Sequence, residues 1–253
     1  MPLSDGHLVE LLHETAIAVC QALDRLDDWG LSGTRAGQHR SDLAADAAAL
    51  EVLGAAEVGV LSEESGLHAP DRDVIVVVAP LDGSTNAARG IPWFATSLCA
   101  VDRDGPRVSL VVDLPHGRTF TAVRGGGASV DGVPLVPTGC TALAEAVVGI
   151  SGLPPESLGW RQFRALGAVA LDLCAVAEGT LDGYVDASSP SAHGAWDYLG
   201  GALVCAEAGA VAADALGRDL TVLDPAARRT PVAAGTPELL DALVTARRRA
   251  VGR

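Results

Sequence analysis

The segment Val74-Ile-Val-Val-Val-Ala-Pro-Leu-Asp-Gly-Ser-Thr-Asn86 runs from a β-branched stretch directly into a polar turn. An uninterrupted β-branched stretch is typical of a strand that is buried on both faces. We expect Pro80 to end this strand, because proline cannot donate a hydrogen bond to a neighbouring strand. Beyond it, Gly83 lets the backbone approach a ligand closely, and Ser84 and Thr85 offer hydroxyl and N–H donors. The segment therefore predicts a central strand that ends at a binding site for an anion.

Two further acidic motifs occupy comparable positions, at the end of a strand or the start of a helix. Glu63-Glu64 follows the predicted strand Val58–Leu61, and Trp196-Asp197 precedes the predicted helix Tyr198–Ala208. If the fold brings these carboxylates to Asp82, they form an oxygen-rich pocket that suits Mg²⁺, a hard cation that also binds phosphate oxygens. Taken singly, each motif also has a purely structural explanation, as a turn, a solvated loop or a helix start.

The rest of the sequence alternates between helical and strand patterns. The first half mixes helices with several strands, whereas the second half has an α/β pattern. We therefore expect an α+β half over residues 1–140, with the first two motifs, and an α/β half over residues 141–253, with the third. The predicted helices are 8–26, 43–52 and 166–177, and the further predicted strands are 97–101, 108–112, 119–123, 147–150, 183–186 and 210–213.

The formal net charge of -14 restricts the classes of partner. Such an acidic surface repels nucleic-acid backbones and anionic membranes, and a phosphorylated ligand would need local positive charge from a metal or a helix dipole. The 5 cysteines are odd in number and lack metal-type spacing, which favours free thiols in a reducing compartment. The sequence has no leader pattern and no run of ~20 apolar residues. We therefore expect a cytoplasmic protein that binds neither nucleic acid nor membrane.

Together, and in this order, the three motifs resemble the signatures of the inositol monophosphatase family. The family has a Glu-Glu pair after a strand, then Asp-Pro-Ile/Leu-Asp-Gly-Thr/Ser-x-Asn, then Trp-Asp before an Ala/Gly-rich helix that ends in Glu-Ala-Gly. Glu63-Glu64, Ala79–Asn86, Trp196-Asp197 and Glu207–Gly209 match these signatures, apart from the first position of the second one. The resemblance covers roughly residues 41–243. It implies a layered αβαβα sandwich, a Mg²⁺ cofactor, a homodimer and the hydrolysis of a small phosphate monoester.

By this resemblance, the catalytic and metal-binding roles of the family fall on particular residues. Water would attack the phosphorus in line with the leaving oxygen, with metal ions activating the water and stabilising the leaving group. Asp46 stands where an aspartate supports the threonine hydroxyl that helps to activate water, and Ser84 replaces that threonine. The implied metal ligands are Glu63, the backbone carbonyl of Leu81, Asp82 and Asp197, and the implied catalytic residues are Glu63, Ser84 and Asp46.

The substrate-binding prediction combines the resemblance with the local sequence. Gly167 and Ala168 correspond to a family segment that contacts substrate, and Asp186 corresponds to an acidic residue that binds substrate hydroxyls. His193 is included because it precedes Trp196-Asp197, although a structural or surface role is the alternative for this histidine. The full set of predicted substrate-binding residues is Gly83, Ser84, Thr85, Gly167, Ala168, Asp186, His193 and Asp197.

One position departs from the family pattern, because Ala79 stands where the family has an aspartate that bridges two metal ions. A methyl group cannot bind a cation, so both metal sites are expected to be weakened. Three explanations stay open: an engineered inactivating substitution, a natural phosphatase that manages with fewer or differently held metals, or a relative that has abandoned hydrolysis. The leading prediction is a Mg²⁺-dependent phosphatase acting on an inositol, sugar or nucleoside phosphate. The alternative is a non-hydrolytic member of the family, which binds a phosphorylated small molecule or catalyses another reaction.

Overall fold

A computed structural model describes residues 3–251 as two β-sheets with helices on their faces. The helices are α1 (Asp5–Asp24), α2 (Arg40–Gly54), α3 (Ser84–Arg89), α4 (Val169–Ala177), α5 (Ala195–Ala208) and α6 (Pro237–Val251), with a 3₁₀ turn at Leu143–Glu145. The strands of the larger sheet are β1 (Gly59–Ser62), β2 (Gly66–His68), β3 (Ile75–Asp82), β4 (Ala95–Asp102), β5 (Gly105–Asp113), β6 (Arg118–Val123), β7 (Gly127–Val130) and β8 (Val133–Pro134). Those of the smaller sheet are β9 (Val147–Ser151), β10 (Gln162–Arg164), β11 (Gly183–Asp186), β12 (Val211–Asp214) and β13 (Pro231–Ala234).

The strand orders are β2-β1-β3-β4-β5-β6-β7-β8 in the larger sheet and β10-β9-β11-β13-β12 in the smaller one. Helices α1 and α2 cover one face of the larger sheet, α4 and α5 lie between the two sheets, and α6 covers the other face of the smaller sheet. Each layer buries apolar side chains against the next, which is the main source of stability for such an arrangement. The layering confirms the predicted αβαβα sandwich.

Strand β3 lies between β1 and β4 and is covered on both faces. Val76 and Val78 pack in the cluster formed with α1 and α2, whereas Ile75, Val77 and Ala79 pack in the cluster formed with α4 and α5. Because successive side chains of a strand point to opposite faces, two covered faces require an unbroken apolar run. The prediction of a doubly buried strand is confirmed.

The prediction that Pro80 ends this strand is wrong, because β3 continues to Asp82. The pairing of β3 with β4 shifts register between Ala79 and Asp82, so the proline falls in an irregular part of the ladder where no N–H is required. Thr96 Oγ1 donates a hydrogen bond of 2.9 Å to the carbonyl oxygen of Pro80. The irregular stretch carries Leu81 and Asp82 to the point where α3 begins.

Two predicted helices near the candidate site begin at different residues from those expected. The predicted helix 166–177 begins at Val169, since Gly167 has a φ of +90°, outside the helical region. The predicted helix Tyr198–Ala208 begins earlier, at Ala195, and the backbone N–H of Gly194 donates to Asp197 in its first turn. The helix starts were predicted from the apolar pattern, whereas the observed starts are set by the backbone conformation of Gly167 and by the capping of α5 by Asp197.

The two sheets use consecutive parts of the sequence. The larger sheet is built from strands between Gly59 and Pro134, and the smaller one from strands between Val147 and Ala234. The division into halves at residues 1–140 and 141–253 stays a prediction. No helix within residues 3–251 is long and apolar enough to cross a membrane.

Candidate active site

The turn after β1 is held in place by α2. Ser62 Oγ donates a hydrogen bond to Asp46 on α2 and accepts one of 3.1 Å from the backbone N–H of Glu64. The carboxylate of Glu64 binds Arg35, at 2.7 Å, and Gln38. These contacts tie Glu64 to the loop before α2, and both Glu63 and Glu64 line a cavity of about 210 Å³.

The segment that follows β3 is tied to the segment that precedes α4. Asp82 Oδ2 accepts a hydrogen bond of 2.7 Å from the backbone N–H of Ala170, in the first turn of α4. Asn86 Nδ2 donates to the carbonyl oxygens of Trp93 and Leu166, each at 2.7 Å. The opening motif of the sequence is thereby fixed against the second half of the chain.

Gly83 makes the close approach between these two segments possible. Its φ is +84°, and a Cβ at this position would lie 3.0 Å from the carbonyl oxygen of Trp93 and 3.1 Å from Cβ of Ala168. Gly167 on the facing segment has a φ of +90°, and a Cβ there would lie 3.1 Å from Asn86 Nδ2. Glycine is required at both positions because a side chain would be strained and crowded. The predicted residues Gly83, Gly167 and Ala168 therefore lie together.

His193 lies between the two acidic residues predicted for the second half of the site. Its Nδ1 is 3.4 Å from Oδ2 of Asp197, and its Nε2 is 3.7 Å from Oδ2 of Asp186. Asp186 has no exposed surface, and its Oδ1 accepts a hydrogen bond from the backbone N–H of Ser188. Burial lowers the pKa of His193, but Asp197, Asp186 and Asp82 outweigh this effect, so the pKa is raised overall. The imidazole therefore separates the Asp186 carboxylate from Asp197.

The carboxylates of the three acidic motifs repel one another. Burial raises the pKa of Asp82 to about 7, with a further contribution from Asp197 that Ala170 N–H and His193 partly offset. Burial also raises the pKa of Glu63 well above its ordinary value, and Asp197, Glu64 and Asp82 add to this effect. Mutual effects of this kind require short separations in a poorly solvated region. The fold thus brings together the acidic residues of motifs that are more than a hundred residues apart in sequence.

Of the other predicted site residues, some line the cavity, one is exposed and one is buried against β1. Leu81 and Ser84 line the cavity beside Glu63, whereas Thr85 is exposed. Asp46 is buried, and its Oδ1 is occupied by Ser62. Of the two aspartates on α2, Asp42 lines the cavity together with Ser84, and a hydrogen bond with Ser84 is among the effects that offset the raising of the Asp42 pKa by burial. The expectation that Asp46 supports the hydroxyl of Ser84 stays a prediction.

Two acidic residues of this region lie outside the three motifs and were not predicted from the sequence. Asp42 precedes Asp46 by one helical turn, so helical spacing on α2 could have identified it. Asp172 is a fully buried acid within the apolar helix α4, and its Oδ1 accepts a hydrogen bond of 3.0 Å from Nε1 of Trp93. Burial raises the pKa of Asp172 well above its ordinary value, and the charge of Asp82 raises it further. An acid in an otherwise apolar helix is the signal that could have found it.

The oxygen donors at the cavity suit Mg²⁺ in their chemistry. Glu63, Asp82 and the carbonyl of Leu81 are hard donors, and a bound cation would relieve the repulsion between the carboxylates. In the part of the chain that the structure describes, no three His, Cys, Asp or Glu side chains are grouped closely enough to enclose a metal by themselves. Mg²⁺ tolerates such a sparse protein ligand set, since it retains waters and shares phosphate oxygens. The residues present therefore fit a weakly held Mg²⁺.

Curated proteins of similar sequence include both phosphatases and proteins named for another role. The chain is 34% identical over 191 residues to Nus factor SuhB of Pasteurella multocida, covering 68% of this chain and 70% of that protein. It is 31% identical over 202 residues to Nus factor SuhB of Escherichia coli strain K12, covering 73% and 72%. It is 32% identical over 196 residues to a fructose-1,6-bisphosphatase of Pyrococcus furiosus, covering 74% of each chain.

Solved structures share the whole architecture. An inositol monophosphatase from Anabaena superposes with a TM-score of 0.78 at 25% identity, covering 97% of this chain and 96% of that one. A hypothetical protein from Pyrococcus horikoshii, with similarities to inositol-1 monophosphatase, superposes with a TM-score of 0.81 at 23% identity, covering 94% and 96%. The family model described as "Inositol monophosphatase family" matches residues 40–252. A match over this much of the chain, on a fold with the same layers, makes the protein a member of the inositol monophosphatase family.

Proposed function

We propose that the chain is a divalent-cation-dependent phosphatase that releases phosphate from a small phosphate monoester, such as an inositol, sugar or nucleoside phosphate. The observation that supports this most directly is the mutual repulsion of Glu63, Asp82 and Asp197, which contributes to the raised pKa values of the first two. Acidic side chains that are held together against their repulsion are a common mark of a functional site. The similarity to a fructose-1,6-bisphosphatase supports the choice of substrate class.

In this proposal, Mg²⁺ is held by Glu63, Asp82, Asp197 and the carbonyl oxygen of Leu81. When bound, the cation supplies the Lewis acidity that polarises the phosphate group. Glu63 orients the attacking water by accepting a hydrogen bond from it. Ser84, which lines the same cavity as Glu63, helps to orient that water through its hydroxyl, and Thr85 donates to a phosphate oxygen.

The alcohol part of the substrate is proposed to lie against Gly167 and Ala168, where the chain approaches Gly83. His193 then acts on the substrate indirectly, because its Nδ1 lies 3.4 Å from Oδ2 of Asp197 and so positions that carboxylate. A direct contact of His193 with substrate stays a prediction. Asp186 acts through this imidazole, because its own carboxylate is fully buried and faces His193 Nε2 at 3.7 Å. Such positioning of both substrate parts would contribute to the rate by holding the ester in line with the water.

The test is a phosphate-release assay over a panel of inositol, sugar and nucleoside phosphates, with and without Mg²⁺. We expect Mg²⁺-dependent release by the natural chain and a loss of about 100-fold or more in Asp82→Asn, whose amide oxygen can still accept from Ala170 N–H. Asp241→Asn, at an exposed position of α6, is the matched control and keeps full activity. The absence of phosphate release by both the natural chain and Ala79→Asp, over the whole panel, would contradict the proposal.

A non-hydrolytic role is the second candidate, and Ala79 is the observation that favours it. The side chain at this position is a fully buried methyl group that offers no ligand to a cation. In that case calorimetry would detect binding of a phosphate monoester while no phosphate is released. The predicted homodimer and the predicted lack of nucleic-acid binding belong to both candidates, and sedimentation and gel-shift measurements would test them.

A further inference from the structure

Arg228 lies in the loop between β12 and β13, and its positive charge has no acidic partner. In the part of the chain that the structure describes, no carboxylate forms an ion pair with this side chain, whose hydrogen bonds all go to backbone carbonyl groups. Arg107 and Arg118 are half-buried like Arg228, but each pairs with a carboxylate. In a chain with a formal net charge of -14, a half-buried guanidinium without a carboxylate indicates that an anion from outside the chain binds to it.

The acidic residues that precede Arg228 in the same loop are engaged elsewhere. Oδ1 of Asp219 accepts a hydrogen bond of 2.8 Å from the backbone N–H of Thr221. Oδ1 of Asp224 accepts one of 2.8 Å from the backbone N–H of Ala226. Both carboxylates therefore stabilise the turns in which they lie. The loop thus leaves the charge of its arginine uncompensated.

The guanidinium of Arg228 is held in a fixed position with one edge free. Its Cζ lies 5.1 Å from the centroid of the Trp196 ring, within the range of a cation–π contact. Nη1 donates hydrogen bonds of 2.8 Å to the carbonyl oxygens of Pro225 and Ala227. Nε and Nη2 make no hydrogen bond within the described residues. These two nitrogens form an edge of the guanidinium that can bind a carboxylate through two parallel hydrogen bonds.

Two contacts place Arg228 next to the half of the candidate site that belongs to α5. Trp196, on which its guanidinium stacks, directly precedes Asp197 in the first turn of that helix. The neighbouring Arg229 donates a backbone hydrogen bond of 2.8 Å to the carbonyl oxygen of His193, the residue whose imidazole contacts Asp197. The residues proposed to orient the attacking water lie in the first half of the chain. Arg228 is therefore placed to meet a group on the alcohol part of a substrate rather than the phosphate that is released.

We propose that Arg228 binds a carboxylate on the alcohol part of the substrate through Nε and Nη2, so that the preferred substrate is a phosphate monoester of a hydroxy acid. This inference rests on the proposed function and names the class of its substrate. A carboxylate fits better than a second phosphate, because it is planar like the guanidinium and one arginine balances its single charge. A second phosphate carries close to two charges at neutral pH, which Arg228 alone does not balance in a site that already holds Asp82 and Asp197.

The test uses pairs of phosphate monoesters that differ only in a carboxylate. 3-Phosphoglycerate is compared with glycerol 3-phosphate, and 6-phosphogluconate with sorbitol 6-phosphate, so that a short and a long spacing between phosphate and carboxylate are covered. We expect the natural chain to prefer the acid in at least one pair by about tenfold in kcat/KM, and Arg228→Gln to lower this ratio by about tenfold. The matched control is Arg103→Gln, which removes one positive charge from an exposed position beyond the end of β4 that is remote from Asp82, and keeps the ratio.

The outcomes separate this inference from the proposed function. If Arg228→Gln fails to fold, Arg228→Met replaces it, because its unbranched side chain still covers Trp196 without a charge. An unchanged ratio in the folded variant overturns the inference. Phosphate release by the natural chain without preference for the acid in either pair, or with a preference for fructose 1,6-bisphosphate over both acids, also overturns it, and the proposed function then stands. If neither the natural chain nor Ala79→Asp releases phosphate from any ester, the proposed function fails, and dissociation constants of the same pairs from calorimetry decide the inference by the same ratio.

Discussion

Nδ1 of His193 lies 3.4 Å from Oδ2 of Asp197, so a basic ring contacts the acid that opens α5. The ring is largely buried, with 15% of its side-chain surface exposed. Its Nε2 makes no hydrogen bond within the described residues and faces Asp186. The imidazole of His193 therefore lies between Asp186, at the end of β11, and Asp197, in the first turn of α5. It also makes the charge of the site depend on the protonation of one histidine.

His193→Gln is expected to lower the stability of the cation-free protein more at pH 6 than at pH 9. The pKa of His193 is raised in the folded protein from 6.5, so its stabilising contribution is fully present below 6.5 and is lost as the pH rises through the folded pKa. The expected difference in the free energy of unfolding is about 1 kcal/mol, measured by urea denaturation at both pH values. Equal losses at the two pH values would contradict the raised pKa.

Asp172→Asn is expected to stabilise the protein increasingly as the pH rises above 4. The pKa of Asp172 is raised in the folded protein from 3.8, mainly by burial, so the natural chain loses stability as the pH rises from 3.8 through the folded pKa. The asparagine keeps the acceptor for Trp93 Nε1 without this loss. Melting temperatures from pH 4 to pH 8 are the measurement, and a variant that is less stable than the natural chain at pH 8 would count against this account.

Gly83→Ala is expected to destabilise the protein by about 2–3 kcal/mol and to impair any cation binding. The cost combines the left-handed φ of +84° with a Cβ only 3.0 Å from the carbonyl oxygen of Trp93. Gly90→Ala is the matched control at the other end of α3, because its φ is +71° but no atom lies within 4 Å of the added Cβ. The control should lose only about 1 kcal/mol in chemical denaturation. Equal losses in the two variants would show that the close approach at Gly83 is unimportant.

Ala79→Asp is expected to lower the stability of the cation-free protein and to increase its affinity for Mg²⁺. Position 79 is fully buried in the apolar cluster between the sheets, so an added carboxylate would cost about 2–4 kcal/mol without a cation. Thermal melts with and without Mg²⁺ measure both effects, and phosphate release should rise with affinity. Ala79→Asn adds a side chain of similar size without charge, and its stability should respond to Mg²⁺ no more than that of the unsubstituted chain.

Local sequence patterns predicted the central strand, and the acidic motifs together resembled a family whose layered fold was therefore expected. The apolar run of β3 could be interpreted without any other information, because a strand covered on both faces must be apolar throughout. The order of Glu63, Asp82 and Asp197 along the chain, each at an element boundary, resembled the signatures of the family, and that resemblance implied that they meet. The mutual effects on their pKa values agree with this placement.

Contacts between distant elements decided the details of the site. The shift of register that carries β3 past Pro80 depends on its pairing with β4. The engagement of Asp46 by Ser62 depends on how α2 lies over β1. The position of His193 between Asp186 and Asp197 depends on where the segment after β11 crosses the start of α5.

The amino-acid sequence by itself thus determined the doubly buried strand and the acidic motifs, because both are local properties of the chain, and the resemblance of those motifs to a known family implied the layered fold. Only the tertiary structure decided which acid is free to bind a ligand. Whether a carboxylate is available depends on the donors that face it, and those donors belong to other parts of the sequence. Asp42 and Asp46, one turn apart on α2, have different partners, because Ser62 donates to Asp46 whereas the backbone N–H of His39 donates to Asp42.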